Sequence, residues 1–150
     1  IRRLEKTYYK EMIPFELQSG LDEPQVEGMD VSTFMLSLLQ IRDQAHILHW
    51  QTTNEAQHNA FGAFYDDFLG LVDEIAEEVI GKYGRFKVGG SAIVLMDYSE
   101  AMPIFIQNIE KIFTQDFCEI FEQESNTELY NLRDEFLSLK NKLSYRLTLD

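Results

Sequence analysis

The sequence predicts an all-α fold, a four-helix bundle with a long connection between its second and third helices. Three observations carry this reading. Apolar residues recur at intervals of three and four in four separate stretches. Helix-breaking residues are scarce, with three Pro and eight Gly in 150 residues. Nowhere does the chain sustain the alternation of a half-buried strand. At 45% hydrophobic residues, the chain can build the core of one domain.

Residues 1–30 read as an N-terminal extension, and residues 31–150 as the bundle. Within the extension, Ile1, Leu4, Tyr8 and Met12 fall at helical spacing and predict a short helix ended by Pro14. Gly20, Pro24 and Gly28 then mark a loop. The chain opens on Ile1 rather than Met, which is compatible with an upstream segment, including a basic one.

Asp30 or Ser32 can cap the first long helix, Val31 to about Thr52, whose core stripe is Phe34, Leu38, Ile41, Ala45 and Leu48. Thr53 and Asn54 break the pattern, and Asn54 can cap the next helix. That second helix, residues 55–83, carries Phe61, Phe64, Tyr65, Phe68, Val72, Ile75 and Val79 on its stripe and stops at Gly84. A long connection follows, with a turn at Gly89–Gly90 and a short element expected within Ser91–Met96. Pro103 suits the first turn of a third helix bearing Ile104, Phe105, Ile109, Ile112, Phe113, Phe117 and Ile120. Ser125-Asn126-Thr127-Glu128 has the form of a capping box for the last helix, with Leu129, Leu132, Phe136, Leu139 and Leu143 on its stripe.

A formal net charge of −13 disfavours nucleic acid and anionic membrane as partners, because both require a basic face. Arg2, Arg3 and Lys6 are too few to make one, and Glu5 lies among them. No apolar run approaches the ~20 residues of a membrane span. The single cysteine, Cys118, excludes an intrachain disulfide and fits a reducing, cytoplasmic setting. Its apolar neighbours predict that it is buried.

All three histidines fall between His46 and His58. His49 closes the first helix and His58 opens the second, so a tight hairpin would turn both toward one space. Neutral imidazole there can bind a metal or hydrogen-bond the turn. Further along the second helix, Asp73 and Glu77 are an i, i+4 carboxylate pair, suited to a cation or to a solvated face. That helix holds seven acidic residues against one Lys, Lys82. His58, Gly62, Asp66, Leu69, Asp73 and Glu77 share about 100° of its arc. Yet His58 and Asp73 stand about 22 Å apart along it, at 1.5 Å per residue. One metal reaches both only if the histidines and the carboxylates come from different subunits, and a two-fold dimer would create two such sites. An intrachain di-iron site would need a second Glu-x-x-His beside Glu55–His58, and the chain has no further histidine for it.

With these residues in place, the chain resembles the Dps family, the miniferritins. The likeness rests on Gln44-Ala45-His46 to His49-Trp50, on His58, on Val72-Asp73-Glu74-Ile75-Ala76-Glu77-Glu78, and on the closing helix from Glu128 to Leu147. It covers about residues 31–149. The resemblance implies a ferritin-like bundle assembled as a homo-oligomeric, dodecameric shell of two-fold dimers. It implies iron as the metal, with His49 and His58 as ligands from one subunit and Asp73 and Glu77 from its partner. Trp50 would lie close by. His46, one turn back from His49, reads as a bystander or a group behind the ligands, and Asp66 as a more distant candidate. The implied activity is that of a ferroxidase: oxidation of ferrous iron, with peroxide as oxidant, storage of the ferric product and protection against oxidative damage. The chain departs from the family at Gly62, where an Asp is usual, and Asp66 lies about 12 Å of helix rise from His58. This departure opens the alternative of a ferritin-like assembly protein without efficient oxidation, and suggests that Gly62→Asp would supply a missing ligand.

Overall fold

The computed structural model describes residues 30–150; the expected helix and loop of the N-terminal extension lie outside them. The described residues are mostly helical and contain no strand. In chain order the helices are α1 (Val31–Gln51), α2 (Glu55–Tyr83), α3 (Tyr98–Ala101), α4 (Phe105–Lys111), α5 (Phe117–Ile120) and α6 (Thr127–Arg146). A π-helical turn, Ile112–Asp116, joins α4 to α5.

The first two helices begin as their sequences dictate. Asp30 accepts a hydrogen bond from the Thr33 amide (2.7 Å), and Asn54 accepts one from the Gln57 amide (2.9 Å). Each satisfies an amide that the first helical turn leaves without a partner. Gly84 ends α2 at φ +85, a conformation that a side chain would strain. The predicted stripe of α1 is buried throughout, as is that of α2 except Tyr65.

The segment from α4 to α5 buries Phe105, Ile109, Phe113, Phe117 and Phe121 at intervals of four. In an unbroken α-helix four such steps would carry the stripe about 160° around the axis. The extra residue of a π turn takes back about 100°, so the stripe stays on one side. Rings from four helical segments then meet. Phe113 stacks on Phe136 (centroids 4.5 Å), Phe68 packs edge-on against Phe136 (4.9 Å), and Phe34 meets Phe113, Phe117 and Phe121.

The connection 84–97 is fixed at both ends. At the Tyr83 end, Lys82 donates to the Ser125 carbonyl and to Glu128 (2.6 Å), and Tyr83 donates to Asn126, so α6 starts beside the end of α2. At the hairpin end, the Gln51 side chain bonds Asp97 and the Tyr98 amide (2.8 and 2.6 Å), and the Tyr98 hydroxyl donates to Gln57 (2.7 Å). The connection therefore returns along the length of α2. Gln44, 1% exposed, holds it on the way by donating to the Met96 carbonyl (2.8 Å) and accepting from the Met96 amide (2.7 Å).

Three local expectations are corrected. No element forms within Ser91–Met96; the Met96 backbone is satisfied by Gln44, and the short helix falls at Tyr98–Ala101, with Pro103 in the turn after it. The capping box does not form: Asn126, not Ser125, precedes α6, Ser125 bonds Glu122, and Glu128 bonds Lys82. Cys118 is exposed, because Phe117 takes the core-facing position; Arg133 donates to its sulfur over 3.7 Å.

Replacing Gln44 by Ala would leave both Met96 backbone groups without their buried partner. Gln44→Ala should cost about 2 kcal/mol in urea-induced unfolding. A loss within about 0.5 kcal/mol, the range of an ordinary surface change, would show that the connection does not depend on this amide.

Candidate metal-binding site at the helical hairpin

The candidate site begins where α1 gives way to α2. Thr52 is extended, its hydroxyl donates to Gln57 (2.8 Å), and the Asn54 cap sets the entry of α2. This tight break places His49, half-buried, against His58, which is exposed. Their rings stack with centroids 3.7 Å apart and planes 21° from parallel. His49 Nδ1 lies 2.7 Å from the His58 carbonyl oxygen, and His58 Nδ1 lies 2.8 Å from the His49 carbonyl oxygen. A carbonyl only accepts, so each Nδ1 carries the proton and donates. In the neutral rings each Nε2 is then left as an unprotonated nitrogen donor. Histidine that ligates a metal usually has its other ring nitrogen engaged in this way.

The stack also limits what the pair can do. A metal sits in the plane of its imidazole, about 2.1 Å from the nitrogen. Two near-parallel planes at this spacing do not meet that close, so in this pose the rings offer two separate donors and no shared ion.

Around the pair, His46 stacks on Tyr65 and packs at a tilt against Trp50, with centroids 4.3 Å from each, and Tyr65 meets His49 edge-on (5.4 Å). Trp50 is 65% exposed. Tyr65, placed on the core stripe by its spacing, is half-buried: it packs against the core and also joins this aromatic cluster. Gly62 lies directly against the His49 ring.

The predicted carboxylates stand elsewhere. Asp66, Asp73 and Glu77 are all exposed on α2. Because α2 is unbroken from Glu55 to Tyr83, the ~22 Å of rise between His58 and Asp73 holds in the folded chain. Glu77 lines an open groove of about 670 Å3 between α2 and α6, with Glu74, Glu78, Lys82 and Glu128. Among the described residues, no three His, Cys, Asp or Glu side chains gather closely enough to hold a metal. The structure thus brings His49 and His58 together and keeps them apart from Asp73 and Glu77.

The stack predicts coupling between the two rings. A double-mutant cycle of His49→Ala and His58→Ala should give an interaction of about 1 kcal/mol, and strict additivity would contradict the pairing. In the groove, the hydrogen bond from Lys82 holds the Glu128 carboxyl below the usual carboxylate range. Ionised Glu128 therefore stabilises the fold above its ordinary value, and this is lost as pH falls through the lowered one. Lys82→Met should lower the melting temperature slightly at neutral pH, and the gap from wild type should narrow as the solution is acidified through the carboxylate range, leaving the part that rests on the Ser125 carbonyl. A gap that stays constant as the solution is acidified would remove the carboxylate from the account.

Neither the curated proteins nor the solved structures give a match to this chain. A family model does match, over residues 49–147, a span that begins at His49 and takes in His58, Gly62, Asp73 and Glu77. The chain belongs to this family, DUF5856, described as a family of unknown function.

Proposed function

We propose that this chain is a Dps-like miniferritin subunit that binds ferrous iron at sites completed by a second copy and stores the oxidised product. The observation that carries the reading is the reciprocal lock of His49 and His58, which leaves two Nε2 donors at the exposed end of a helical hairpin. The order of the helices supports it. A hairpin, a connection returning along α2, and a second antiparallel pair make the ferritin-like four-helix bundle with one crossover. On this reading residues 31–150 are the bundle, and residues 1–30, apart from the cap Asp30, are an extension to it.

Each half of the site is incomplete alone. Asp73 and Glu77 are exposed and far from the histidines of their own chain. A two-fold partner that brings these carboxylates to His49 and His58 forms two equivalent sites. Imidazole with carboxylate suits ferrous iron as substrate, and each ring can serve its own ion with Glu77 between the two. Peroxide would take one electron from each of two ferrous ions, and its O–O bond would break to give two hydroxides. The net charge of −13 favours accumulation of cations. Such two-fold dimers assemble, through further contacts between dimers, into a dodecameric shell in the cytoplasm. Among the described residues no helix is long and apolar enough to cross a membrane.

One observation favours a second reading, a shell-forming protein that oxidises iron poorly. Gly62 offers no ligand, and the two Nδ1 bonds also serve as a fastener for the turn.

Metal-free protein mixed with ferrous iron and peroxide, followed by ferric absorbance and light scattering, separates these readings. The proposal expects a dodecameric particle with rapid oxidation, and loss of iron binding at one common site in both His58→Ala and Asp73→Ala. A particle without oxidation supports the second reading. A monomer indifferent to iron contradicts both.

A further inference from the structure

We propose that Gly62 is a positioning residue for His49: the missing Cβ is the seat on which the imidazole rests, and it fixes which ring nitrogen is left as donor. The ring pose stands on geometry alone; the consequence for metal rests on the function proposed above.

Glycine is a poor residue inside a helix, yet α2 carries Gly62, Gly70 and Gly81. A Cβ added at Gly70 or Gly81 would meet nothing within 4 Å. At Gly62 it would lie 3.1 Å from Cε1 and 3.3 Å from Nδ1 of His49. These contacts are tighter than carbon normally tolerates, so the ring would have to retreat. It has little room to do so. His58 stacks on it at 3.7 Å, and its Nδ1 is tied to the His58 carbonyl at 2.7 Å. The edge of Tyr65 stands 5.4 Å from its centre. A shift of even a few tenths of an ångström strains the Nδ1 bond or opens the stack. As the Nδ1 bond to the carbonyl weakens, the proton is held less firmly on Nδ1, and Nε2 is a less assured donor.

The position one turn after His58 is therefore no vacancy for a carboxylate. It is occupied by the ring of His49. An Asp there would bring its Cβ into the same collision, so Gly62→Asp should weaken the site, contrary to the expectation from sequence.

The test compares wild type, Gly62→Ala, Gly62→Asp and Gly70→Ala. Long-range proton–nitrogen spectra of the imidazoles are recorded metal-free, above the titration range of histidine. Wild type and Gly70→Ala should hold His49 as the Nδ1–H tautomer alone, and both Gly62 variants should show a mixture. Titration with cobalt(II) alone should give equal affinity for wild type and Gly70→Ala and at least tenfold weaker binding for Gly62→Ala. If Gly62→Ala is too unstable for spectra, melting temperatures decide. The loss caused by Gly62→Ala should disappear when His49→Ala is also present, because the collision is then gone. Gly62→Ala with wild-type tautomer and cobalt affinity would overturn the proposal. So would Gly62→Asp binding cobalt(II) more tightly than wild type with its tautomer unchanged. Should wild type ignore cobalt(II) while the tautomers behave as stated, the positioning role stands and the metal reading fails.

Discussion

The exchange of imidazole and carbonyl between His49 and His58 fixes the hairpin end on which the rest of the molecule is hung. It closes the turn between α1 and α2 with two hydrogen bonds and a ring stack. The same turn receives the returning chain, because Gln51 and Gln57 hold Asp97 and Tyr98 there. The third helical segment thus starts at the hairpin end and packs on α1 and α6. The far end is fastened separately, by Lys82 and Tyr83 to residues 125–128. Between these two polar ends lies an aromatic interior of Phe34, Phe68, Phe113 and Phe136. Its packing supplies the burial, and the polar ends set the order of the helices.

Much of this was legible in the sequence, for definite reasons. The bounds of α1 and α2 follow from Asp30, Asn54 and Gly84, residues whose side-chain oxygen or backbone freedom acts locally. The meeting of His49 and His58 follows from a short break between two helices. What was not legible depends on partners distant in sequence. Gln44 meets Met96 across 52 residues, and no local pattern marks that pairing. Glu128 looks like half of a capping box and instead answers Lys82. Tyr65 packs against the core as its spacing implies, but it also stacks on His46, a contact that helical period does not mark. The π turn left a trace in the strict four-residue interval of Phe105, Ile109, Phe113 and Phe117, which an α-helix alone does not keep in register.

Gly62 shows how one residue changes meaning between the two levels. Beside a related motif it reads as a ligand lost. In the folded chain it is the surface against which His49 packs, 3.1 Å from where a Cβ would stand. The site is then organised around two imidazoles whose outward nitrogens are set by the backbone. The carboxylates proposed to complete it, Asp73 and Glu77, lie on α2 and out of reach within the chain.

That separation gives the account its most exposed claim, that the site is closed by a second chain. Anomalous diffraction at the iron edge, from crystals loaded with ferrous iron without oxidant, tests it directly. The account predicts anomalous density next to Nε2 of His49 or His58 in one chain and within ligand distance of Asp73 or Glu77 of a two-fold-related copy. Iron bound by a single chain, or histidines free of metal at an iron-loaded acidic groove, would contradict it.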